Sequence, residues 1–316
     1  MVESTREAYG KTLVELGRQN PDIVVLDADL SKSTQTHLFA REFSERFFDC
    51  GIAEQNMISI AAGLAASGKT VFASTFAVFA PGRCFDQIRM SVAQPGLNVK
   101  IVTSHGGITV GEDGTSHHAI EDLALACSFP GFSVVVPADA AEVAQAVRAA
   151  AQTYGPFYIR LSRPKTPLVY APDYQFNLGK AATLREGKDV TVIAIGIMVA
   201  LALEAAQNMA RDGIDCRVLS MSTLKPLDED AIAKAARETG AIVTAEEHIR
   251  RGGLGSAVAQ VVAEQQPVPM SIIAINDTYA KSGKPMELLQ EHGLTAARIE
   301  GAARSLVSRK AGKGQR

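Results

Sequence analysis

Between His105 and His118 the chain packs three histidines, two acids and four glycines into fourteen residues, directly after an apolar run. Imidazoles and carboxylates read hydroxyl groups or move protons, and glycines let backbone approach a ligand closely. The segment therefore reads as a loop that holds a polar small molecule, with a Gly-rich turn bearing solvated histidines as the plain alternative. Glu54 is a second candidate, at an expected helix start inside Gly51-Ile-Ala-Glu-Gln-Asn-Met57. There the helix dipole favours its charge while burial opposes it, a setting suited to sharing a proton. The plain reading is a carboxylate that only satisfies backbone N–H groups. Phe76 and Phe79, in Ser74-Thr-Phe-Ala-Val-Phe-Ala80, can stack on a flat ring or simply fill core.

These residues need a scaffold, and the first half of the chain supplies an alternating one. Ile23–Leu26, Thr70–Ser74, Val99–Thr103, Val134–Val136 and Phe157–Leu161 read as strands. Helices are expected near Ala53–Ala66, Phe85–Ala93, Ala119–Cys127 and Asp139–Gln152. Such alternation predicts α/β architecture with a parallel sheet covered on both faces. Ligands of open α/β sheets sit beyond the carboxyl ends of the strands. Asp27 and Asp29, Glu54, the His105 loop and Arg163 all fall there, so four distant segments are expected on one rim. Three prolines between Pro164 and Pro172 mark a break, after which a second, smaller α/β unit begins. The expected boundaries are 1–170, a linker over 171–188, a second domain over 189–307 and a solvated basic tail over 308–316. In the second domain, Glu246-Glu-His248 followed by Arg250-Arg-Gly-Gly-Leu-Gly255 is either an anion site at a helix start or a capping turn, and no chemistry is assigned to it.

Composition narrows the function classes. At 316 residues with 47% hydrophobic and 21% charged residues and a net charge of −2, neither disorder nor a broad nucleic-acid surface is indicated. Cys50, Cys84, Cys127 and Cys216 lack the spacing of a zinc site or disulfide framework and read as buried thiols of a reducing compartment. No signal peptide and no membrane-length apolar run is evident, so a cytoplasmic protein with no membrane partner is expected.

In order and spacing, Gly51-Ile-Ala-Glu-Gln-Asn-Met57, Ser74-Thr-Phe-Ala-Val-Phe79, Val110-Gly-Glu-Asp-Gly-Thr-Ser-His117 and Leu161-Ser-Arg163 resemble the C-terminal half of transketolase, a thiamine diphosphate enzyme. The resemblance covers nearly the whole chain and implies a pyrimidine-binding domain followed by the family's C-terminal domain. It implies that Glu54 bonds the pyrimidine ring nitrogen of the cofactor, that Phe76 and Phe79 line the aminopyrimidine pocket, and that Asp29 lies at a cofactor-proximal subunit contact. It further implies that His105, Asp113 and His117 contact the sugar, with His117 joining Glu54 as catalytic, and that Arg6, Ser33 and Arg163 bind its phosphate. A guanidinium fork suits that task. The chain departs from the family near Gly82, where a third aromatic is common, and near Gly106, where an acid is common; His118 matches no assigned position.

The Gly-Asp-Gly and downstream asparagine that hold the cofactor's metal in this superfamily are missing: Glu112-Asp-Gly114 has no asparagine after it until Asn177. The resemblance therefore implies a split enzyme. A partner N-terminal subunit would carry the diphosphate, a Mg or Ca ion and further sugar contacts, in an α2β2 heterotetramer. No metal ligand is expected in this chain. The implied reaction moves a two-carbon ketol unit from a ketose phosphate to an aldose phosphate. A 1-deoxyxylulose-5-phosphate synthase-like chain, a 2-oxo acid dehydrogenase β-like subunit and a non-catalytic scaffold are the alternatives.

Overall fold

The computed structural model describes residues 1–313, with side chains to residue 310. In chain order the strands are β1 Val2–Glu3, β2 Ile23–Asp27, β3 Phe47–Asp49, β4 Thr70–Phe76, β5 Val99–Ser104, β6 Ser133–Val135, β7 Phe157–Arg160, β8 Thr166–Pro167, β9 Ala182–Arg185, β10 Val190–Ala194, β11 Cys216–Ser220, β12 Thr223–Lys225, β13 Ile242–Ile249 and β14 Met270–Ile275. A seven-stranded sheet runs in the order β12-β6-β7-β5-β4-β2-β3. All its pairings are parallel except β12 with β6. Its middle strands are buried along their whole length, as expected where helices cover both faces. The second sheet has five strands, β14-β13-β10-β11-β9, parallel apart from β9. The architecture is thus the expected α/β one, a parallel-sheet unit followed by a smaller α/β unit.

The two units interlock. Strand β12 leaves the second unit to pair with β6 of the first, with Thr223 opposite Val135. The span expected as a linker, 171–188, is not free either: Phe176 and Leu178 pack on the first unit's core, and β9 is an edge strand of the second sheet.

The ends differ from the sequence reading: one helix was not foreseen, and one expected tail is helical. A helix over Thr5–Gln19, absent from the pattern-based reading, opens the chain, capped by Ser4, whose Oγ accepts from Glu7 N at 3.3 Å. Residues expected as a basic tail from 308 onward instead continue a helix, Ala296–Lys313. The physical reason is that Lys310 Nζ donates to Thr239 O at 2.6 Å and Asp189 O at 2.7 Å. Thr239 ends the helix Glu229–Thr239, so the ammonium sits at the negative end of that helix dipole. Residues 314–316 of the expected tail lie outside the described residues. Cys84 and Cys216 are buried as expected, whereas Cys50 and Cys127 are only partly so; all four are free thiols.

Candidate active site

The rim beyond β2, β4, β5 and β7 is shaped by strained and carboxylate-tied turns. Among the described residues, only Asp29, Gln35 and His105 are non-glycine residues with positive φ, at 62°, 70° and 60°. Two of these three are site candidates at strand ends, where such strain persists only if the surroundings enforce it. Asp49, ending β3, does so for Asp29: its Oδ1 accepts from Asp29 N and Gly51 N, both at 3.0 Å. Buried Asp27, ending β2, accepts from Leu30 N, Thr34 Oγ1 and Thr36 Oγ1 at 2.6–2.8 Å and so shapes the turn that carries Ser33. Burial pushes its carboxyl up to about 6 despite those bonds.

Glu54 is the first residue of the helix Glu54–Ala66 and is 3% exposed. Its Oε2 lies 2.7 Å from Arg83 Nη1, and the Arg83 guanidinium lies 4.3 Å over the Phe79 ring. Phe79 stacks with Phe76 at 5.9 Å and 20°. Phe76 in turn stacks on His105 at 3.8 Å, and His117 meets the Phe79 edge at 5.4 Å and 70°. A continuous wall thus joins Glu54, Arg83, Phe79, Phe76, His105 and His117. Sequence reasoning missed Arg83 because nothing local links it to a carboxylate 29 residues away.

The cationic candidates meet at the other side of His105. Arg6 donates to Ser33 O at 2.8 Å and Arg163 O at 3.1 Å. Arg163 donates to Val110 O in the histidine loop and lies 3.3 Å from Glu112 Oε2. Burial and then the Arg163 charge depress the Arg6 value, so the two guanidiniums lie close enough to repel each other. An anion between them would relieve that repulsion. Asp113 and Asp29 are exposed; neither side chain makes a hydrogen bond or ion pair to the rest of the group. Buried His118 props the loop, its Nε2 3.2 Å from Gly111 O.

Burial, with Arg6, Arg163 and His117 adding to it, pushes His105 down to about 3. The folded value lies below the ordinary one near 6.5, so this neutral ring contributes stability above about pH 6.5 that is lost as pH falls towards 3. His105 is expected to stay neutral between pH 5 and 8 in a histidine-resolved NMR titration; a midpoint near 6.5 would show a ring open to water.

The residues present fit an aminopyrimidine ring. The Arg83 guanidinium is itself a flat group bearing N–H donors, and it already bonds the Glu54 carboxylate while lying on the Phe79 face. No group of three or more His, Cys, Asp or Glu able to hold a metal occurs among the described residues.

A parallel-sheet unit with this carboxylate, aromatic and histidine rim, followed by a smaller α/β unit, defines a class of two-unit α/β proteins with a candidate site at the strand ends. Residues 3–169 match the family model of the transketolase pyrimidine binding domain, and residues 179–299 that of the transketolase C-terminal domain. The chain belongs to the transketolase family, which implies thiamine diphosphate. It is 47% identical over 297 residues to a Methanocaldococcus jannaschii protein described as a transketolase C-terminal section, covering 93% of both chains. It is 43% identical to the 6-deoxy-6-sulfo-D-fructose transketolase subunit SqwH of Clostridium sp., covering 96% of this chain and 95% of that one. Its fold superposes with a TM-score of 0.91 on a split-gene transketolase solved as an inactive beta4 tetramer, at 53% identity and covering 96% of this chain and 98% of that one.

Proposed function

We propose that this chain is the C-terminal subunit of a two-chain transketolase, which moves a two-carbon ketol unit from a ketose phosphate to an aldose phosphate. The observation that carries the reading is the continuous wall from Glu54 through Phe79 and Phe76 to His105 and His117, with Arg6 and Arg163 beyond it. One end suits a nitrogen-bearing ring, the middle a polyol and the far end a phosphate. Bound thiamine diphosphate supplies the carbon nucleophile and electron sink. Glu54 holds or releases a proton at the pyrimidine ring nitrogen, while Phe76 and Phe79 position that ring and keep it dry. His117 exchanges protons with the sugar hydroxyls, helped by Asp113. His105, kept neutral, orients the sugar as a hydrogen-bond partner, and Arg6, Ser33 and Arg163 take its phosphate. Asp29 belongs to the cofactor-proximal subunit contact.

The diphosphate and a Mg or Ca ion fall to a separate N-terminal subunit in an α2β2 heterotetramer. Relatives of matching length described as a section or a subunit support a split enzyme. The free thiols suit a cytoplasmic setting, and no described helix is long and apolar enough to cross a membrane. The test is to co-purify the chain with the protein encoded beside it and assay xylulose 5-phosphate with ribose 5-phosphate, with and without thiamine diphosphate and magnesium. Cofactor-dependent transfer by the complex, absent from either chain alone, is expected. A stable, cofactor-loaded complex that transfers nothing to ribose 5-phosphate or to other aldose phosphates would refute it.

Arg83 competes with the pyrimidine for Glu54 and Phe79. Its side chain is 45% exposed, so solvent screening reduces the ion pair to about 1 kcal/mol. Arg83→Ala is therefore expected to tighten thiamine diphosphate binding to the complex about fivefold by calorimetry; weaker binding would mean that Arg83 helps to hold the ring.

A further inference from the structure

The histidine loop of the first unit rests on the second. Glu247, on β13, extends its carboxylate beneath the loop, and its Oε1 accepts from Thr109 N at 2.7 Å. Arg160, at the end of β7, holds the same strand by donating to Glu247 O at 2.9 Å and to Ala119 O at 3.2 Å. Ala119 O also accepts from Gly107 N at 2.8 Å. The loop backbone presses onto both charges: a Cβ at Gly106 would collide with Arg160 Nε, and one at Gly107, where φ is 78°, would collide with the Glu247 carboxylate. The family's acid near Gly106 has no room here. Further along, Thr115 Oγ1 donates to Ala280 O at 2.5 Å, and Pro285 would lie 3.1 Å from a Cβ at Gly111. The adjacent Glu246 is used differently. Its carboxylate caps the helix Leu254–Gln265 through Leu254 N and Gly255 N, both at 2.7 Å, so this helix start is occupied by a side chain of β13.

We infer that Glu247 is a positioning residue through which the second unit sets the conformation of the His105–His117 loop, and so the affinity of the site for its sugar. The inference rests on the site reading given above. His105 lies two residues before Gly107 and is held at positive φ, so its ring sits on Phe76 only while this backbone stays fixed. A buried carboxylate that accepts from a backbone amide fixes it more firmly than a neutral acceptor does.

The test has two readouts. In the chain alone, Glu247→Ala should speed hydrogen exchange at the Thr109 amide by about tenfold or more, and Glu247→Gln, which keeps an acceptor oxygen, should restore most of the protection. In the assembled complex, Glu247→Ala should raise the sugar phosphate KM by a similar factor with cofactor affinity unchanged. Gly107→Ala should raise it too, and the two substitutions combined should cost less than the product of their separate effects, because the carboxylate that the new methyl meets is gone. Wild-type Thr109 exchange and KM in Glu247→Ala, or an equal loss of cofactor affinity, would overturn the inference. A wild-type complex that transfers no ketol would remove the reading of the site, yet Thr109 exchange would still decide the positioning.

Discussion

Glu54→Gln is expected to lower turnover of the proposed complex by about 10²–10⁴-fold, the usual worth of a positioned proton-transfer group. The side chain starts the helix Glu54–Ala66 with 3% exposure, so a glutamine of the same shape keeps the packing around it. What is lost is charge. A carboxamide neither holds nor releases a proton at these pH values, and it meets Arg83 as a neutral acceptor instead of an ion-pair partner at 2.7 Å. Since Arg83 is half exposed, the stability cost stays at about 1 kcal/mol or below. The expected outcome is therefore a split: an unfolding midpoint lowered by no more than a few degrees, thiamine diphosphate still bound, and turnover nearly abolished under saturating sugar phosphates. Near-normal turnover would take Glu54 out of the chemistry and leave it as a helix-start carboxylate.

The rim was legible because its strands are buried on both faces and read as mostly apolar runs, with polar residues collecting where each run stops. Glu54 at a helix start and the histidine loop after β5 both stand where the pattern placed them. The helix that carries Arg6 did not show, because Thr5–Gln19 contains Gly10 and Gly17, which dilute a helical pattern. Tertiary packing accounts for both glycines: a Cβ at Gly10 would meet Gln35 and Leu38, and one at Gly17 would meet Phe39 and Phe43. The C-terminal helix failed for the opposite reason. Basic composition suggested solvent, while Lys310 is fixed by two carbonyls from sequence-distant segments. Arg83 and Glu247 escaped because each acts on a partner far away in sequence. One signal was available: Arg160 interrupts the apolar run Phe157-Tyr-Ile-Arg-Leu161, and Glu246-Glu-His248 follows directly on Ile242–Ala245. Charge inside a buried strand needs a partner, so Arg160 and the Glu246-Glu247 pair each called for one, as did Lys100, which finds the Thr153 and Gly155 carbonyls.

That buried pairing yields the largest expected change in stability. Arg160 and Asp122 are 4% and 2% exposed, with Arg160 Nε 3.2 Å from Asp122 Oδ2. Tyr158 also donates to that oxygen at 2.7 Å, and His248 Nε2 accepts from Ala124 N at 3.3 Å. Arg160→Met keeps most of the volume but strands the Asp122 and Glu247 carboxylates without their cation, which costs about 3–5 kcal/mol. The deficit should depend on pH. Burial pushes Glu247 up to about 7 even though Arg160 pulls it down, so without the guanidinium it rises further. A carboxyl whose folded value exceeds its unfolded one favours the folded state at low pH and loses that contribution as pH rises through the folded value. Below about 7 the group is protonated in both proteins, whereas above it only the variant resists ionisation, so the deficit is smaller at pH 6 than at pH 8. Urea unfolding of the chain at the two pH values measures both parts. A loss under about 1 kcal/mol with no pH dependence would mean that the Arg160 charge does not hold these carboxylates, and the loop above would then rest on its other anchors, Gly107 N to Ala119 O and Thr115 Oγ1 to Ala280 O.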